Sequence, residues 1–368
     1  MNLANLPTPS LILDRPILKR NIAAMAEALS IHRVTLRPHL KTAKSIDVAR
    51  MVLGEGGGPI TVSTLAEAEY FAAHGIGDIL YAVGITPEKL DQVAKLNAAG
   101  ADVAVITDDV DAAAAIRAHA ASIRALIEID TGEGRAGVLP EDPALEAIAE
   151  TLGPRLAGVM THAGHSYAAH DRAAIAVVAE AERAGVVRAA ERLKAAGRMV
   201  AIVSMGSSPT ALAASSYAGI TEVRAGVYMF GDLFQAAIGT HGPEDIAVTV
   251  LASVIGRRPE RHQLLIDAGA IALSKDRSTE ATQHDYGFGL VRDLAGAESF
   301  GAAIVRRAYQ EHGVVACDSA RPFPALKVGD KVRVVPNHVC LTAAAHDRYF
   351  VTDDGVEVAR VWPRVNGW

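Results

Sequence analysis

Eight short apolar runs recur along the first 230 residues, and most are separated by alanine-rich stretches with the spacing of amphipathic helices. Apolar runs that alternate with helices are typical of parallel strands buried on both faces. Eight strand–helix units predict an α/β fold, a (β/α)8 barrel of the TIM type. The predicted strands are VTLRPHL (34–40), PITVST (59–64), DILYAV (78–83), DVAVITD (102–108), RALIEID (124–130), LAGVMTHAG (156–164), MVAIVSMGS (199–207) and EVRAGVYMF (222–230).

Beyond residue 245 the pattern changes to strand-like alternation interrupted by turns, as in IAVTVLASVIGRR and RYFVTDDGVEVARVWP. This change predicts a C-terminal all-β domain. We expect residues 15–240 to form the barrel and residues 1–14 and 245–368 to form the β domain, joined by the linker THGPED at 240–245.

Composition excludes several classes of protein. A net charge of −6 gives no basic footprint for a nucleic acid, and no apolar run is long enough to cross a bilayer. The N-terminus lacks the basic and apolar regions of a secretory signal. Two cysteines, Cys317 and Cys340, are too few for a disulfide framework. We therefore expect a cytoplasmic protein with neither a nucleic-acid nor a membrane partner.

Polar side chains gather where the predicted barrel strands end, and this rim is where barrels of this type carry their active sites. Each has an ordinary explanation by itself: a lysine in RPHLKTAKS is commonly a solvated loop residue, and a single histidine a satisfied interior one. Their common placement favours a site. These residues are Lys41, Arg135, His162, His165, Tyr167, Ser207, Ser208, Arg224, Gly226 and Tyr228.

Two of these features indicate a cofactor. GSSPT after the seventh strand offers hydroxyls and closely spaced backbone N–H groups, which suit a phosphate. A lysine in a pocket can form a Schiff base because burial shifts its pKa. Phosphate and lysine on one rim predict pyridoxal 5′-phosphate bound through Lys41.

The tripeptide HVC places His338 and Cys340 two residues apart. On an extended strand such residues point to one face, about 7 Å apart, so an imidazole and a thiolate could share a divalent metal, with Zn²⁺ the natural occupant. The alternative is a buried structural cysteine.

The motifs together resemble a known family. They include TPSLILD, RPHLKTAKS, THAGHSY, GSSPTALAAS, TEVRAGVYMFGD, DAGAIALSKDRST, QEHG and PNHVCLTAAAHDRYFV, and they extend over the whole chain. The sequence is similar to the fold-type III pyridoxal-phosphate enzymes of the alanine racemase superfold. Within them it resembles the group of D-serine dehydratase, D-threonine aldolase and D-threo-3-hydroxyaspartate dehydratase.

The resemblance implies a role for individual residues. Lys41 would carry the cofactor, His162 would lie against its ring, Arg135 near its 3′-oxygen and Tyr167 near its ring nitrogen. Ser207, Ser208, Gly226 and Tyr228 would hold the phosphate; relatives commonly read GSTPT, and Ser208 keeps the hydroxyl of that threonine. His338 and Cys340 would bind the catalytic metal, and a homodimer is expected.

The implied activity is that of a lyase on D-β-hydroxy-α-amino acids. We expect a dehydratase, because aldolases of the group tend to have a carboxylate in place of Cys340, which would suit Mn²⁺ or Mg²⁺. The alternatives are retro-aldol cleavage by a D-threonine aldolase, an amino-acid racemase, and a non-catalytic pyridoxal-phosphate carrier. The substrate and the roles of Lys44, His165 and His312 stay open.

Overall fold

The computed structural model describes residues Met1–Trp368, and the chain forms two compact units. The first unit comprises Met1–Ala23 and Val227–Arg364, and the second comprises Ala24–Gly226 and Val365–Trp368. The units divide the chain differently from the expected domain bounds, because residues 15–23 and the segment from Val227 to residue 240 belong to the first unit. No helix combines the length and the apolar composition that a bilayer crossing requires.

After a 3-10 turn at Leu3–Asn5, strand β1 (Ser10–Asp14) leads directly into helix α1 (Arg15–Ser30). Asp14 joins the two, since its carboxylate accepts a hydrogen bond from the backbone N–H of Ile17 at 3.0 Å. A side-chain acceptor at this position satisfies one of the N–H groups that a helix leaves unpaired in its first turn.

The second unit contains an eight-stranded parallel sheet that is nearly closed into a barrel, so the predicted fold class is confirmed. Neighbours in the sheet follow the order β2-β9-β8-β7-β6-β5-β4-β3, and a parallel bridge between His39 and Thr61 joins its two ends. All eight predicted strands are present, each shorter than or close to the predicted run: β2 (Thr35–Pro38), β3 (Ile60–Val62), β4 (Asp78–Gly84), β5 (Asp102–Thr107), β6 (Ala125–Ile129), β7 (Leu156–Thr161), β8 (Ile202–Met205) and β9 (Glu222–Ala225).

Helices connect these strands, and polar residues in the sequence mark where several of them begin. The side chains of Thr64, Asp109 and Asp171 each accept a backbone hydrogen bond from the first turn of the following helix, as capping residues do. The helices are α2 (Ile46–Leu53), α3 (Leu65–Ala73), α4 (Leu90–Ala98), α5 (Val110–Ala118), α6 (Pro143–Leu152), α7 (Arg172–Ala195) and α8 (Ser208–Ala213).

Arg37 ties the closing strands together at the N-terminal end of the barrel. Its guanidinium on β2 pairs with Glu222 on β9 at 2.8 Å and with Asp78 on β4 at 2.8 Å, and it also donates to the Ile60 carbonyl on β3 at 3.2 Å. Arg37 and Glu222 are both buried. Breaking a buried pair of this kind strands a charge in the interior, so this cluster fixes the closing seam that leads to Lys41.

The first unit is built on a nine-stranded sheet in the order β11-β14-β13-β12-β15-β10-β1-β16-β17. All pairs are antiparallel except β1 with β16. Its further elements are α9 (Leu233–Ala237), β10 (Val248–Arg258), β11 (Gln263–Ile266), α10 (Ala270–Leu273), β12 (Leu290–Arg292), β13 (Ile304–Ala308), β14 (Gly313–Ala316), β15 (Lys331–Val335), α11 (Val339–Ala344), β16 (Arg348–Thr352) and β17 (Val358–Pro363).

Candidate active site

Lys41 follows directly after the seam at which the barrel closes. The backbone N–H of His39 donates to the Ala225 carbonyl at 2.8 Å, and that of Leu40 donates to the Thr61 carbonyl at 2.9 Å. The two residues before Lys41 are therefore held by both neighbouring strands. The Lys41 side chain is exposed and forms no ion pair with a carboxylate of the chain. A fixed backbone with an unpaired amine suits a lysine that reacts with a carbonyl group.

Lys44 has a different environment from Lys41. Its Nζ lies 2.9 Å from Oε1 of Glu67, whose side chain is almost fully buried. The other oxygen of Glu67 accepts the backbone N–H of Ser63 at 2.9 Å, and the Lys44 carbonyl accepts the N–H of Val365. The structure therefore gives Lys44 a structural ion pair and leaves Lys41 as the unpaired lysine of the motif.

His162 directly follows strand β7, and the charge of Lys41 acts on its ring. Nδ1 of His162 lies 3.1 Å from the carbonyl oxygen of Gly206, and since a carbonyl only accepts, Nδ1 carries the proton and Nε2 keeps its lone pair. Burial lowers the pKa of His162 to about 3, assisted by the positive charge of Lys41. The ring is therefore neutral at physiological pH.

His39 is a second histidine at this rim, and the sequence analysis did not single it out. Burial holds its pKa well below the usual range, and the charges of Lys41, Arg224 and His162 act in the same direction. Its position two residues before Lys41 in RPHLK was the available signal. Two neutral imidazoles thus lie near the Lys41 amine.

Arg135 lies at the rim after strand β6, between two carboxylates. Its guanidinium is 3.7 Å from Glu128 and 3.4 Å from Glu133, and its side chain is 56% exposed. Burial raises the pKa of Glu128, and the charge of Arg135 opposes that rise. Arg135 also contributes to the lowered pKa of His162, which places its charge at the same rim as Lys41.

Arg224 lies inside the barrel below that rim. It is buried on β9 and donates to Ser204 Oγ at 2.5 Å and to the carbonyl oxygen of Thr161. Burial lowers its pKa, and the carboxylates of Glu222, Glu182 and Glu128 oppose this effect. Arg224 is therefore a fixed positive charge beneath the predicted cofactor residues.

Ser207 and Ser208 begin helix α8 after strand β8. The Ser207 side chain accepts the N–H of Thr210, and the Thr210 hydroxyl accepts the N–H of Ser207, which forms a capping box. Ser207 Oγ also lies 3.1 Å from Ser166 Oγ, and Ser208 is buried. The predicted phosphate loop is present, but the Ser207 hydroxyl and N–H already serve the helix.

Two glycines at this rim leave no room for a side chain. A Cβ on Gly206, where φ is +133°, would lie 2.3 Å from the Arg224 carbonyl oxygen, and a Cβ on Gly226 would lie 2.6 Å from that of His39. Only glycine therefore allows the loop after β8 to lie this close to Arg224 and the loop after β9 to lie this close to His39. Tyr228 lies one turn further along, buried in the 3-10 turn Val227–Met229 of the first unit.

Glu182 on α7 joins the loops after β7 and β8, and nothing in the local sequence marks it as a site residue. This fully buried residue of α7 accepts the N–H of Ala163 at 3.1 Å and of Gly206 at 2.9 Å, both at Oε1. Burial raises its pKa to about 7. These bonds hold together the backbone segments that carry His162 and Ser207.

His165 and Tyr167 lie in the 3-10 turn Gly164–Ala168 that follows β7. The His165 ring packs over Gly132, where an added Cβ would lie 3.2 Å from Nε2. Nδ1 of His165 is buried and has no hydrogen-bond partner. Tyr167 is half-buried. This unsatisfied nitrogen is a place where a bound molecule could donate or accept a hydrogen bond.

The expectation that HVC lies on an extended strand is wrong. His338 has extended backbone angles as the N-cap of α11, and Cys340 is the second residue of that helix. The two side chains still meet, because the imidazole and the thiol are within hydrogen-bonding contact. Burial lowers the pKa of His338, but bonds to Asp276 and Cys340 outweigh it and raise the pKa to about 11.

Two aspartates missed by the sequence analysis support this pair. Asp276 Oδ2 lies 2.9 Å from Nδ1 of His338. Asp232, fully buried, accepts the N–H of Gln235 at 2.7 Å and of Val339 at 3.0 Å, and so holds the starts of α9 and α11. His312, whose role the sequence left open, is exposed in the turn between β13 and β14.

No group of three or more His, Cys, Asp or Glu side chains is arranged to enclose a metal. His338 and Cys340 would thus be two protein ligands of an open site. Their donor set consists of an imidazole, whose Nδ1 is held by Asp276, and a thiol, and Zn²⁺ accepts both. The residues therefore fit a divalent metal with positions left for water or substrate.

Two family models match the chain. The alanine racemase N-terminal domain matches residues 13–233, and the putative serine dehydratase domain matches residues 247–352. Alanine racemases of known structure share the fold at 14–16% identity and a TM-score of about 0.7.

Three curated relatives are similar over nearly the whole chain. D-threo-3-hydroxyaspartate dehydratase of Delftia sp. (strain HT23) is 44% identical, covering 100% of this chain and 99% of its own. 3-hydroxy-D-aspartate aldolase of Paracoccus denitrificans (strain Pd 1222) is 32% identical, covering 99% and 92%. D-serine dehydratase of Dictyostelium discoideum is 29% identical, covering 99% and 98%.

Two solved structures of D-threo-3-hydroxyaspartate dehydratase variants superpose with a TM-score of 0.95 each. One carries a histidine-to-alanine change (42% identical, covering 100% of this chain and 97% of that one). The other carries a cysteine-to-alanine change two positions further along and is in the metal-free form (43% identical, 100% of both chains). The comparisons confirm the predicted fold and the prediction of a lyase. The chain belongs to the family that joins an alanine racemase N-terminal domain to a serine dehydratase domain.

Proposed function

We propose that this chain is a pyridoxal-phosphate- and metal-dependent dehydratase of D-β-hydroxy-α-amino acids, with D-threo-3-hydroxyaspartate as the first substrate to test. The observation that carries the proposal is the environment of Lys41, an unpaired amine on a fixed backbone beside two neutral imidazoles. The 44% identity to a D-threo-3-hydroxyaspartate dehydratase over the whole chain supports the choice of substrate.

The residues at the barrel rim fit pyridoxal 5′-phosphate. Lys41 would hold its aldehyde carbon, and His162 would pack against the ring, where a neutral imidazole adds no second positive charge. Arg135 and Tyr167 would approach the ring from the neighbouring loops. The loops of Ser207, Ser208 and Gly226, with Tyr228, would hold the phosphate. The unsatisfied Nδ1 of His165 at this rim is consistent with a bound molecule. When bound, the cofactor supplies an electron sink for charge that develops at Cα.

The chain's own groups would then move the protons. The Lys41 amine, freed when substrate binds, is the candidate base for the Cα proton. His338 and Cys340 would hold a divalent metal, which when bound acts as a Lewis acid on the β-hydroxyl. The net reaction releases ammonia and gives an oxo acid, which is oxaloacetate from 3-hydroxyaspartate.

Zinc is the metal we propose, because an imidazole and a thiol favour Zn²⁺ over the oxygen-preferring Mn²⁺ and Mg²⁺. The same pair supports dehydration over aldol cleavage, since aldolases of the group tend to carry a carboxylate in place of Cys340. Aldolase relatives at 32% identity make cleavage the second candidate. We also propose a cytoplasmic homodimer, which light scattering of the purified protein would test.

The test is a product assay with D-threo-3-hydroxyaspartate, D-serine and D-threonine, before and after treatment with EDTA and after return of Zn²⁺. Oxo acid and ammonia that disappear with EDTA and return with Zn²⁺ support the proposal. Glycine with glyoxylate or acetaldehyde would identify an aldolase. A product inverted only at Cα, which is L-serine from D-serine and the Cα epimer from the other two substrates, would identify a racemase. Lys41→Ala should abolish turnover and cofactor absorbance, whereas the exposed control Lys194→Ala on α7 should leave both unchanged.

A further inference from the structure

His338 and Asp276 form a hydrogen-bonded pair in the first unit. Nδ1 of His338 lies 2.9 Å from Oδ2 of Asp276. A carboxylate accepts, so Nδ1 carries a proton in this bond, and a metal can take only the place of a proton at Nε2. The bond thereby selects the ring nitrogen that is available to a metal.

Asp276 is itself held in place by its neighbours. Its other oxygen, Oδ1, accepts the backbone N–H of Ser278 at 2.6 Å and also the Ser278 hydroxyl. Both carboxylate oxygens are therefore engaged, one by His338 and one by Ser278. A carboxylate with both oxygens engaged in this way orients the histidine and has no free oxygen with which to bind a metal.

Asn337 fixes the two segments on each other. Its Nδ2 donates to the Asp276 carbonyl at 3.0 Å and to the Gly287 carbonyl at 3.0 Å, and its Oδ1 accepts the Thr279 N–H at 3.3 Å. Asn337 is almost completely buried. The loop that carries Asp276 and the residue before His338 are thus locked together, although they are about sixty positions apart in sequence.

We propose that Asp276 is a positioning residue for the metal site: it fixes the tautomer and the orientation of His338. The inference rests on the proposed metal site of His338 and Cys340. Partners of this kind behind a metal-binding histidine typically contribute 10–100-fold to metal affinity. Asp276 touches neither metal nor substrate and acts through His338.

The experiment compares metal affinity among full-length variants prepared with their cofactor. Wild type, Asp276→Asn, Asp276→Ala and His338→Ala are equilibrated with buffered free Zn²⁺, and bound zinc is measured by mass spectrometry of the metal. Asp285→Asn is the matched control, because Asp285 is an acidic residue of the same loop region that pairs with Arg277. Thermal unfolding of each metal-free protein reports purely structural effects.

We expect Asp276→Asn to bind zinc about 10–100-fold more weakly than wild type, with Asp285→Asn unchanged and His338→Ala losing the site. The Co²⁺ form should show a changed visible spectrum in Asp276→Asn, since one amide oxygen cannot serve both His338 and Ser278 as the two carboxylate oxygens do. If Asp276→Asn binds zinc as tightly as wild type, the inference about Asp276 is overturned, while the proposed metal site is not contradicted. Absence of zinc from wild type, or unchanged binding in His338→Ala, would overturn both. If Asp276→Ala fails to fold, Asp276→Asn still decides, because it keeps the size and a hydrogen-bond acceptor.

Discussion

Replacing Glu182 with glutamine should remove a pH dependence of stability that this buried carboxyl creates. Glu182 is fully buried on α7 and accepts the N–H groups of Ala163 and Gly206 at one oxygen. Glutamine keeps a carbonyl oxygen at that position and cannot ionise. The substitution therefore removes the ionisable group and keeps an acceptor for the two backbone N–H groups.

The magnitude follows from the raised pKa of Glu182, which moves from 4.5 to about 7 because burial disfavours the charged form. Below pH 4.5 the carboxyl is protonated in both the folded and the unfolded chain. Between pH 4.5 and 7 the unfolded chain loses this proton while the folded chain keeps it, so rising pH favours unfolding. The loss amounts to about 3 kcal/mol and is complete above pH 7. The glutamine variant lacks it.

Urea unfolding at fixed cofactor concentration, from pH 4.5 to 8, measures the effect as the difference in unfolding free energy between Glu182→Gln and wild type. We expect this difference to move by about 3 kcal/mol in favour of the variant as pH rises. Glu191→Gln, an exposed change on the same helix, should show no such trend. A difference that stays constant with pH would refute the reasoning. Glu182→Ala should instead cost about 2–6 kcal/mol, because two buried N–H groups lose their acceptor at roughly 1–3 kcal/mol each.

Three further predictions concern single residues. Lys44→Met should destabilise the chain by about 3 kcal/mol, because it leaves the Glu67 carboxylate buried without its partner. Urea unfolding measures this free energy, and the double variant Lys44→Met with Glu67→Gln should regain part of the lost stability. Gly226→Ala should weaken cofactor binding and lower the free energy of unfolding by about 1–3 kcal/mol, because the new Cβ would lie 2.6 Å from the His39 carbonyl oxygen. An absorbance titration measures cofactor binding and unfolding curves measure stability; unchanged values of both would contradict the reasoning. In protein treated with EDTA, Cys317, whose thiol pKa burial raises to about 11, should react with iodoacetamide at pH 8 more slowly than Cys340, which is only partly buried. Mass spectrometry of peptides measures both rates, and faster labelling of Cys317 would count against the reasoning.

The fold was largely predictable because buried parallel strands carry a strong local signal. The run DVAVITD (102–108) has four consecutive apolar residues at its centre, and the strand Asp102–Thr107 contains all four. The run EVRAGVYMF (222–230) extends past its strand, which ends at Ala225. Apolar character continues there because Val227–Met229 is buried in a 3-10 turn, and burial alone does not distinguish a strand from a turn.

The HVC segment shows where local pattern fails. It follows the strand Lys331–Val335 and contains a β-branched valine between a histidine and a cysteine, so its local composition favours a continued strand. In the structure the N–H of Val339 donates to Asp232, 107 positions earlier, and the chain turns into a helix. A capping acceptor so distant in sequence leaves no trace in the local pattern.

By itself the sequence determined the eight strands, the rim on which Lys41, His162 and Ser207 lie, and the family, because periodicity and motifs are local properties. Only the tertiary structure decided between the two lysines of RPHLKTAKS, since the distinction depends on the ion pair that Glu67 on α3 forms with Lys44. It also showed that Glu182 accepts the N–H of Gly206 and that Asp276 bonds to His338. Those contacts join residues far apart in the chain, and their energies depend on burial and distance, which exist only once the chain has folded.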